Sequence, residues 1–159
     1  MYCKKYSIPL LILRLPGVYG YGDDFKSTIG IMIKRSVEEK EIVVFGEGKN
    51  MRDFVYVNDL YYILSSAIQN QRSGIVNVAS GKSLSINEIA KLIQKLNLFP
   101  IKIKYLPEKI GFEKRVKNLM FDSSVFKAEF KNIKMTGLKS GISDYIHSIK
   151  DDQERNSLI

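Results

Sequence analysis

Cysteine and histidine are nearly absent from this chain, and so is any long apolar run. The single cysteine, Cys3, excludes an internal disulfide and is consistent with a reducing compartment. The single histidine, His147, falls on the last helical stretch among polar neighbours and reads as a surface residue. No metal-ligand spacing occurs anywhere, so no metal centre is expected. No apolar run reaches the length of a membrane span, and no signal-peptide core follows Met1-Tyr2-Cys3-Lys4-Lys5, so a cytoplasmic protein is expected. Internal repeats, low-complexity tracts and blocks of like charge are missing too. The 25 Lys and Arg outnumber 17 acidic residues, a net charge of +8, but they are scattered. Aromatics do not alternate with them in an RNA-binding pattern, so nucleic acid is not the expected partner. A basic cleft for an anionic small molecule fits the same charge.

What is present is an ordinary globular composition. At 159 residues, 45% hydrophobic and 26% charged, the chain is long enough for one domain with its own core. Tyr2 to Tyr6 reads as the last turn of a helix. Leu10 to Leu15 is apolar on both alternations, as in a strand buried on both faces of a parallel sheet. Gly17, Gly20 and Gly22 mark a loop. Ser27 or Thr28 caps a helix with Ile29, Ile33 and Val37 on one face. Ile42 to Phe45 is a short strand with Val43 and Phe45 on one side. Further on, Ile75 to Val78 reads as a strand, and Ser85-Ile86-Asn87-Glu88 as a capping box opening a helix. Ile101, Ile103 and Tyr105 alternate with lysines as a half-exposed strand. Leu106 to Asn118 reads as a surface loop. Asp122-Ser123-Ser124 caps a short helix through Val125, Phe126 and Phe130, and a final helix uses Ile142, Tyr145, Ile146 and Ile149.

The densest stretch is Phe45 to Leu60, F-G-E-G-K-N-M-R-D-F-V-Y-V-N-D-L. Gly46 and Gly48 suit a turn in which backbone amides approach a ligand. Phe54 to Val57 are four β-formers, and Asn58 or Asp59 offers a cap to a helix through Leu60, Ile63, Leu64, Ala67 and Ile68. Arg52 stands at the start of the strand. Its guanidinium fork could meet a phosphate, or it could form a surface pair with Asp53; chemistry alone leaves both open.

The R-D-F-V-Y-V-N-D run preceded by F-G-E-G resembles the C-terminal half of the extended short-chain dehydrogenase/reductase superfamily. Its NAD-dependent epimerases and dehydratases act on nucleotide sugars. Three more stretches resemble that family in the same order: L-R-L-P-G-V-Y-G at Leu13 to Gly20, G-I-V-N-V-A-S-G at Gly74 to Gly81, and the tail from Phe121 to Ile146. The resemblance runs to about Lys150, leaving 151–159 as a tail. It implies an α/β fold: the last strands of a Rossmann sheet joined to a small mixed α/β substrate-binding lobe.

The resemblance also implies site residues. Arg52 corresponds to an arginine that contacts the nucleotide diphosphate. Val43 and Phe45 match positions flanking the nucleobase, with plain core packing as the alternative. Leu15 and Pro16 match backbone beside the nicotinamide of NAD, and Arg14 a sheet-end position with a packing role. Gly17 stands where the family usually has a substrate-binding asparagine, so the backbone approach is kept and the amide donor lost. The ribose-contacting arginine register falls on Phe112, which leaves Arg115 and Lys117 to supply charge.

The dinucleotide loop and the Tyr-x-x-x-Lys pair of the family are not found. Gly17 to Gly22 is not followed by a capped helix and an acidic residue at the required distance, and Tyr2 and Lys5 are three apart rather than four. The expectation is therefore a substrate-binding portion that begins just after the catalytic pair, with a nucleotide sugar as ligand and NAD as cofactor of the intact enzyme. A missing N-terminal half or an oligomer would complete it, since Leu10–Leu15 and Ile75–Val78 look like strands whose sheet neighbours lie elsewhere. The alternative is a non-catalytic nucleotide-sugar-binding module or subunit.

Overall fold

Alternation and turn chemistry divide the chain into short strands and amphipathic helices. The computed structural model describes residues 2–108 and 118–156. In order come α1 (Tyr2–Lys5), β1 (Leu11–Arg14), β2 (Gly17–Tyr19), α2 (Thr28–Glu38), β3 (Glu41–Phe45), β4 (Met51–Arg52) and β5 (Phe54–Tyr56). They are followed by α3 (Val57–Gln69), β6 (Gly74–Asn77), β7 (Leu84–Ser85), α4 (Ile86–Leu96), β8 (Lys102–Leu106), β9 (Asn118–Leu119), α5 (Ser124–Glu129) and α6 (Leu138–Asn156). Three parallel pairs dominate: β1 with β6, β2 with β5, and β3 with β8. The short β4 lies between β7, antiparallel, and β9, parallel. The result is the expected mixed α/β architecture with parallel strands.

Two clusters of side chains form the core. In the larger, Ile29 and Ile33 of α2 and Ile89 and Ile93 of α4 pack with Ile42 and Val44 of β3 and Ile142, Tyr145 and Ile146 of α6. The smaller gathers Val55, Ile63 and Ala67, Val76 and Val78, and Phe126 and Phe130. Helix starts follow the sequence in two cases. The Ser27 hydroxyl accepts from the Gly30 amide, and Ser85 and Glu88 form the reciprocal capping box. These bonds lower the Glu88 carboxyl below its usual range, through the Ser85 hydroxyl first and its backbone amide second.

Several expectations are corrected. Gly17 is not loop but the first residue of β2, paired with Phe54; the loop begins at Gly20, where φ turns positive. Neither Asn58 nor Asp59 caps α3, because Tyr56 holds the cap position without a side-chain bond. Asp59 is buried instead, accepting from the Thr136 amide and hydroxyl at 2.9 and 2.6 Å, which ties α3 to the loop before α6. Of the apolar face predicted on α3, Ile63 and Ala67 are buried, whereas Leu64 and Ile68 are exposed. β1 is not buried on both faces: Leu11 and Leu13 are half-buried against α3 and β6, while Ile12 is exposed. The physical reason is that β6 is its one strand neighbour among the described residues. Tyr105 is likewise exposed, its hydroxyl donating to Asn87 at 2.6 Å. Asp122 caps α5 from outside, accepting from the Ser124 amide at 2.9 Å, while Ser123 makes no side-chain cap bond. Finally, α6 continues to Asn156, into the stretch expected as a tail.

Candidate functional site

The F-G-E-G-K-N turn is shaped by its glycines. Gly46 and Gly48 both have φ of +62°, the left-handed region that side chains rarely adopt. A Cβ at Gly48 would also lie 2.7 Å from Val44. The turn folds back on the start of α4: the Asn87 amide donates to the Gly48 carbonyl at 2.9 Å and the Ile86 amide to Asn50 at 3.2 Å. This ties the turn that joins β3 to β4 to the start of α4, and β4 itself lies between β7 and β9.

Arg52 is half-buried, and its Nη1 donates to the Met51 carbonyl at 2.9 Å. The surface-pair reading fails: no ion pair joins Arg52 to Asp53 among the described residues, and Asp53 is buried. Its carboxylate accepts from the Ser80 hydroxyl at 2.5 Å, the Ser80 amide at 3.3 Å and the Gly81 amide at 3.3 Å. The R-D dipeptide therefore divides its work. Asp53 locks β4–β5 to the β6–β7 loop, and the backbone alternation sends the neighbouring Arg52 to the other side.

β3 splits in the same way. Ile42 and Val44 belong to the larger core cluster, whereas Val43 and Phe45 share the opposite face, Val43 buried and Phe45 half-buried. The β3–β8 pair ends with Phe45 beside Leu106, and the Gly46 amide donates to the Leu106 carbonyl at 2.8 Å. On its other side, β4 pairs Arg52 with Leu119 of β9. The elements bearing Phe45 and Arg52 thus flank both ends of segment 109–117. Arg115, Phe112 and Lys117 lie in that segment, outside the described residues.

Leu15 and Pro16 lie between the carboxyl end of β1 and the start of β2, Leu15 exposed and Pro16 half-buried. Arg14, the last residue of β1, is exposed. Gly17 is exposed, with no unusual φ; what demands glycine is Phe54, whose ring lies 2.7 Å from where a Cβ would be. With Phe54 placed as it is here, a larger side chain at this position would require the ring to shift. Behind it, Tyr19 meets Phe54 edge-on at 6.3 Å and Tyr56 at 5.4 Å. Burial, then the Asp59 charge, pushes the Tyr19 phenol well above its usual range, and burial first raises Tyr56, so this wall stays neutral.

The sequence did not expose the Asp53–Ser80–Gly81 link, the Asp59–Thr136 link or the bond from the Tyr145 hydroxyl to Asp23 at 2.5 Å. The S-G that follows β6 was the one visible signal for the first of them.

The sequence model of the family described as the NAD dependent epimerase/dehydratase family matches residues 1–79. A UDP-glucuronate 4-epimerase of Thermodesulfobacterium geofontis is 31% identical over 106 residues, covering 66% of this chain and 33% of that protein. Among solved structures, the UDP-N-acetylglucosamine 4-epimerase of Methanobrevibacter ruminantium superposes with a TM-score of 0.80 at 22% identity, over 95% of this chain and 49% of the other. The dTDP-glucose 4,6-dehydratase of Bacillus anthracis, solved in complex with NAD, gives 0.79 at 20% identity over 96% and 48%. The chain spans between 32% and 46% of the length of the curated relatives it matches. These likenesses cover β1 to β6 in sequence and almost the whole chain in fold. The chain belongs to the NAD-dependent epimerase/dehydratase family.

Proposed function

We propose that this chain is the substrate-binding portion of an NAD-dependent nucleotide-sugar epimerase or dehydratase, and that the reacting groups come from residues other than its own. The observation that supports this best is the division of labour at Arg52-Asp53. A buried carboxylate fixes the strand, while the adjacent half-buried Arg52 lies on β4, one turn after the end of β3. Open α/β sheets bind ligands beyond the carboxyl ends of their strands.

In this reading Arg52 holds the diphosphate through two parallel N–H bonds, the geometry that a planar fork provides and an ammonium does not. Val43 and Phe45 line the nucleobase, and Arg115 adds positive charge. Gly17 meets the substrate through its backbone. Leu15 and Pro16 form a small apolar step at the end of β1 that fits one face of a nicotinamide. NAD, when bound, supplies a reversible hydride acceptor for a sugar hydroxyl. This chain's residues bind and orient the sugar nucleotide, and they move no proton.

Isothermal titration with UDP-glucose and dTDP-glucose tests the reading. Arg52→Ala is expected to weaken binding by about 1.5–3 kcal/mol, the range for hydrogen bonds to charged groups, which is roughly ten- to a hundredfold. The chain alone, given NAD and either sugar nucleotide, is expected to show no turnover. Unchanged affinity in Arg52→Ala, or turnover well above blank, contradicts the proposal.

A further inference from the structure

A polar cavity of about 330 Å³, at the small end of ligand sites, opens between the loop that joins β6 to β7 and the first turn of α5. Asp53 lines it, and so do Gly81, Phe121, Asp122, Ser123 and Lys127. Arg52, turned the other way by backbone alternation, does not. The Asn77 side-chain amide donates to the Asp122 carbonyl at 3.3 Å, which holds the start of α5 against the end of β6.

Two polar groups of this cavity are uncommitted. Ser123 is only 5% exposed, yet its hydroxyl makes no hydrogen bond among the described residues, a cap bond to α5 included. A buried hydroxyl left without a partner costs free energy that a ligand can recover. The Lys127 ammonium forms no ion pair among the described residues. Both groups converge on Gly81, where an added Cβ would lie 3.3 Å from Lys127 Nζ and 4.0 Å from Ser123 Oγ. Gly81 has a φ of +74°, the left-handed region that keeps this space free of a side chain.

Charge decides what fits there. Asp53 spends its carboxylate on Ser80 and Gly81. Asp122 gives one oxygen to the Ser124 amide at 2.9 Å; bonds from that amide first, and from the Ser124 hydroxyl second, hold its carboxyl below the usual range. It is therefore an ionised acceptor at neutral pH. An entering phosphate would meet two carboxylates against one ammonium, and a cation would meet the ammonium. A neutral polyol meets neither cost. One hydroxyl donates to Asp122 while its neighbour accepts from Lys127, and the Ser123 hydroxyl serves in either sense. Met120 and Phe121 offer an apolar wall to the C–H face of a ring.

We propose that this cavity is a binding site for a neutral polyol, one sugar ring in size, held between Lys127 and Asp122. It is distinct from the nucleotide site proposed above and does not rest on that reading.

Amide chemical-shift mapping of the full chain with methyl α-D-glucopyranoside, methyl α-D-mannopyranoside and myo-inositol is the test. At least one of the three should shift Gly81, Ser83, Ser123 and Ser124, saturate at about 1–50 mM and leave Phe45 to Arg52 in place. Gly81→Ala, which fills the space between Lys127 and Ser123, should abolish those shifts. Lys127→Met keeps the apolar stem, removes the ammonium and should weaken binding at least roughly tenfold. Lys127 is exposed and has no ion pair to lose, so this variant decides the matter if Gly81→Ala does not fold. Lys91→Met, at an exposed position of α4, should change nothing. Unchanged affinity in Lys127→Met overturns the proposal. So does an absence of saturating shifts at Gly81 and Ser123 with all three compounds, or saturation there by inorganic phosphate or L-serine instead. A parallel titration with UDP-glucose keeps the two sites apart. Glycoside shifts at Gly81 and Ser123 uphold the polyol site whatever UDP-glucose does at Phe45 to Arg52; UDP-glucose shifts at Phe45 to Arg52 without any polyol shifts do the reverse.

Discussion

Replacing Asp53 is the sharpest test of how the candidate site is held. Its carboxylate is buried and accepts three hydrogen bonds from Ser80 and Gly81. Hydrogen bonds to charged groups contribute about 1.5–3 kcal/mol net. At 2.5 Å the Ser80 hydroxyl bond stands in that range, while the two amide bonds at 3.3 Å are long and worth under about 1 kcal/mol each. Asp53→Ala also strands two backbone donors, so the expected loss is roughly 3–4 kcal/mol. Asp53→Asn keeps one acceptor and turns an NH2 toward an amide donor, so about half of that is expected. Urea unfolding followed by far-UV ellipticity, with the slope checked for constancy, reads both values. A loss under about 0.5 kcal/mol in Asp53→Ala would show that the carboxylate does not anchor β4, and the placement of Arg52 would lose its cause.

Ser85→Ala removes one half of the capping box that starts α4 and should cost about 1 kcal/mol, with Ser85→Asp close to wild type; equal stability of Ala and Asp variants in thermal melts would contradict the capping role. Alkaline pH provides another handle, because burial first, then the bond to Asp23, raises the Tyr145 phenol above its ordinary 10.0. A folded-state value above the unfolded one gives stability that is complete below pH 10 and falls as pH rises beyond it. The urea midpoint should therefore fall as pH rises above 10, and fall less in Tyr145→Phe, whereas parallel slopes in the two proteins would count against the Asp23–Tyr145 bond.

Local grammar was legible in the sequence wherever it was satisfied locally. Ser27 and the Ser85/Glu88 box are visible because a cap and its amide partner are three residues apart. The β3, β5 and β6 strands announced themselves through runs of β-branched and aromatic residues. What escaped were decisions made by distant partners. Asp59 looked like a cap, yet Thr136, far along the chain, takes its carboxylate. Asp53 looked like a surface partner for Arg52, yet Ser80 and Gly81 reach it from the next loop. Gly17 read as loop because glycine usually marks one, but it opens β2, paired with Phe54 of β5. The same limit applied to α3: its periodicity marks Leu64 and Ile68 as apolar, and says nothing of whether the layer they face lies within these residues.

The central claim, that a nucleotide sugar lies across the carboxyl end of β3 beside Arg52, is tested most directly by amide chemical-shift mapping during titration with UDP-glucose. Shifts are expected to concentrate at Phe45 to Arg52 and at Leu15 to Gly17, to saturate, and to vanish from the first cluster in Arg52→Ala. Shifts confined to the β6–β7 loop and α5, or none at concentrations that saturate a known family member, would contradict it.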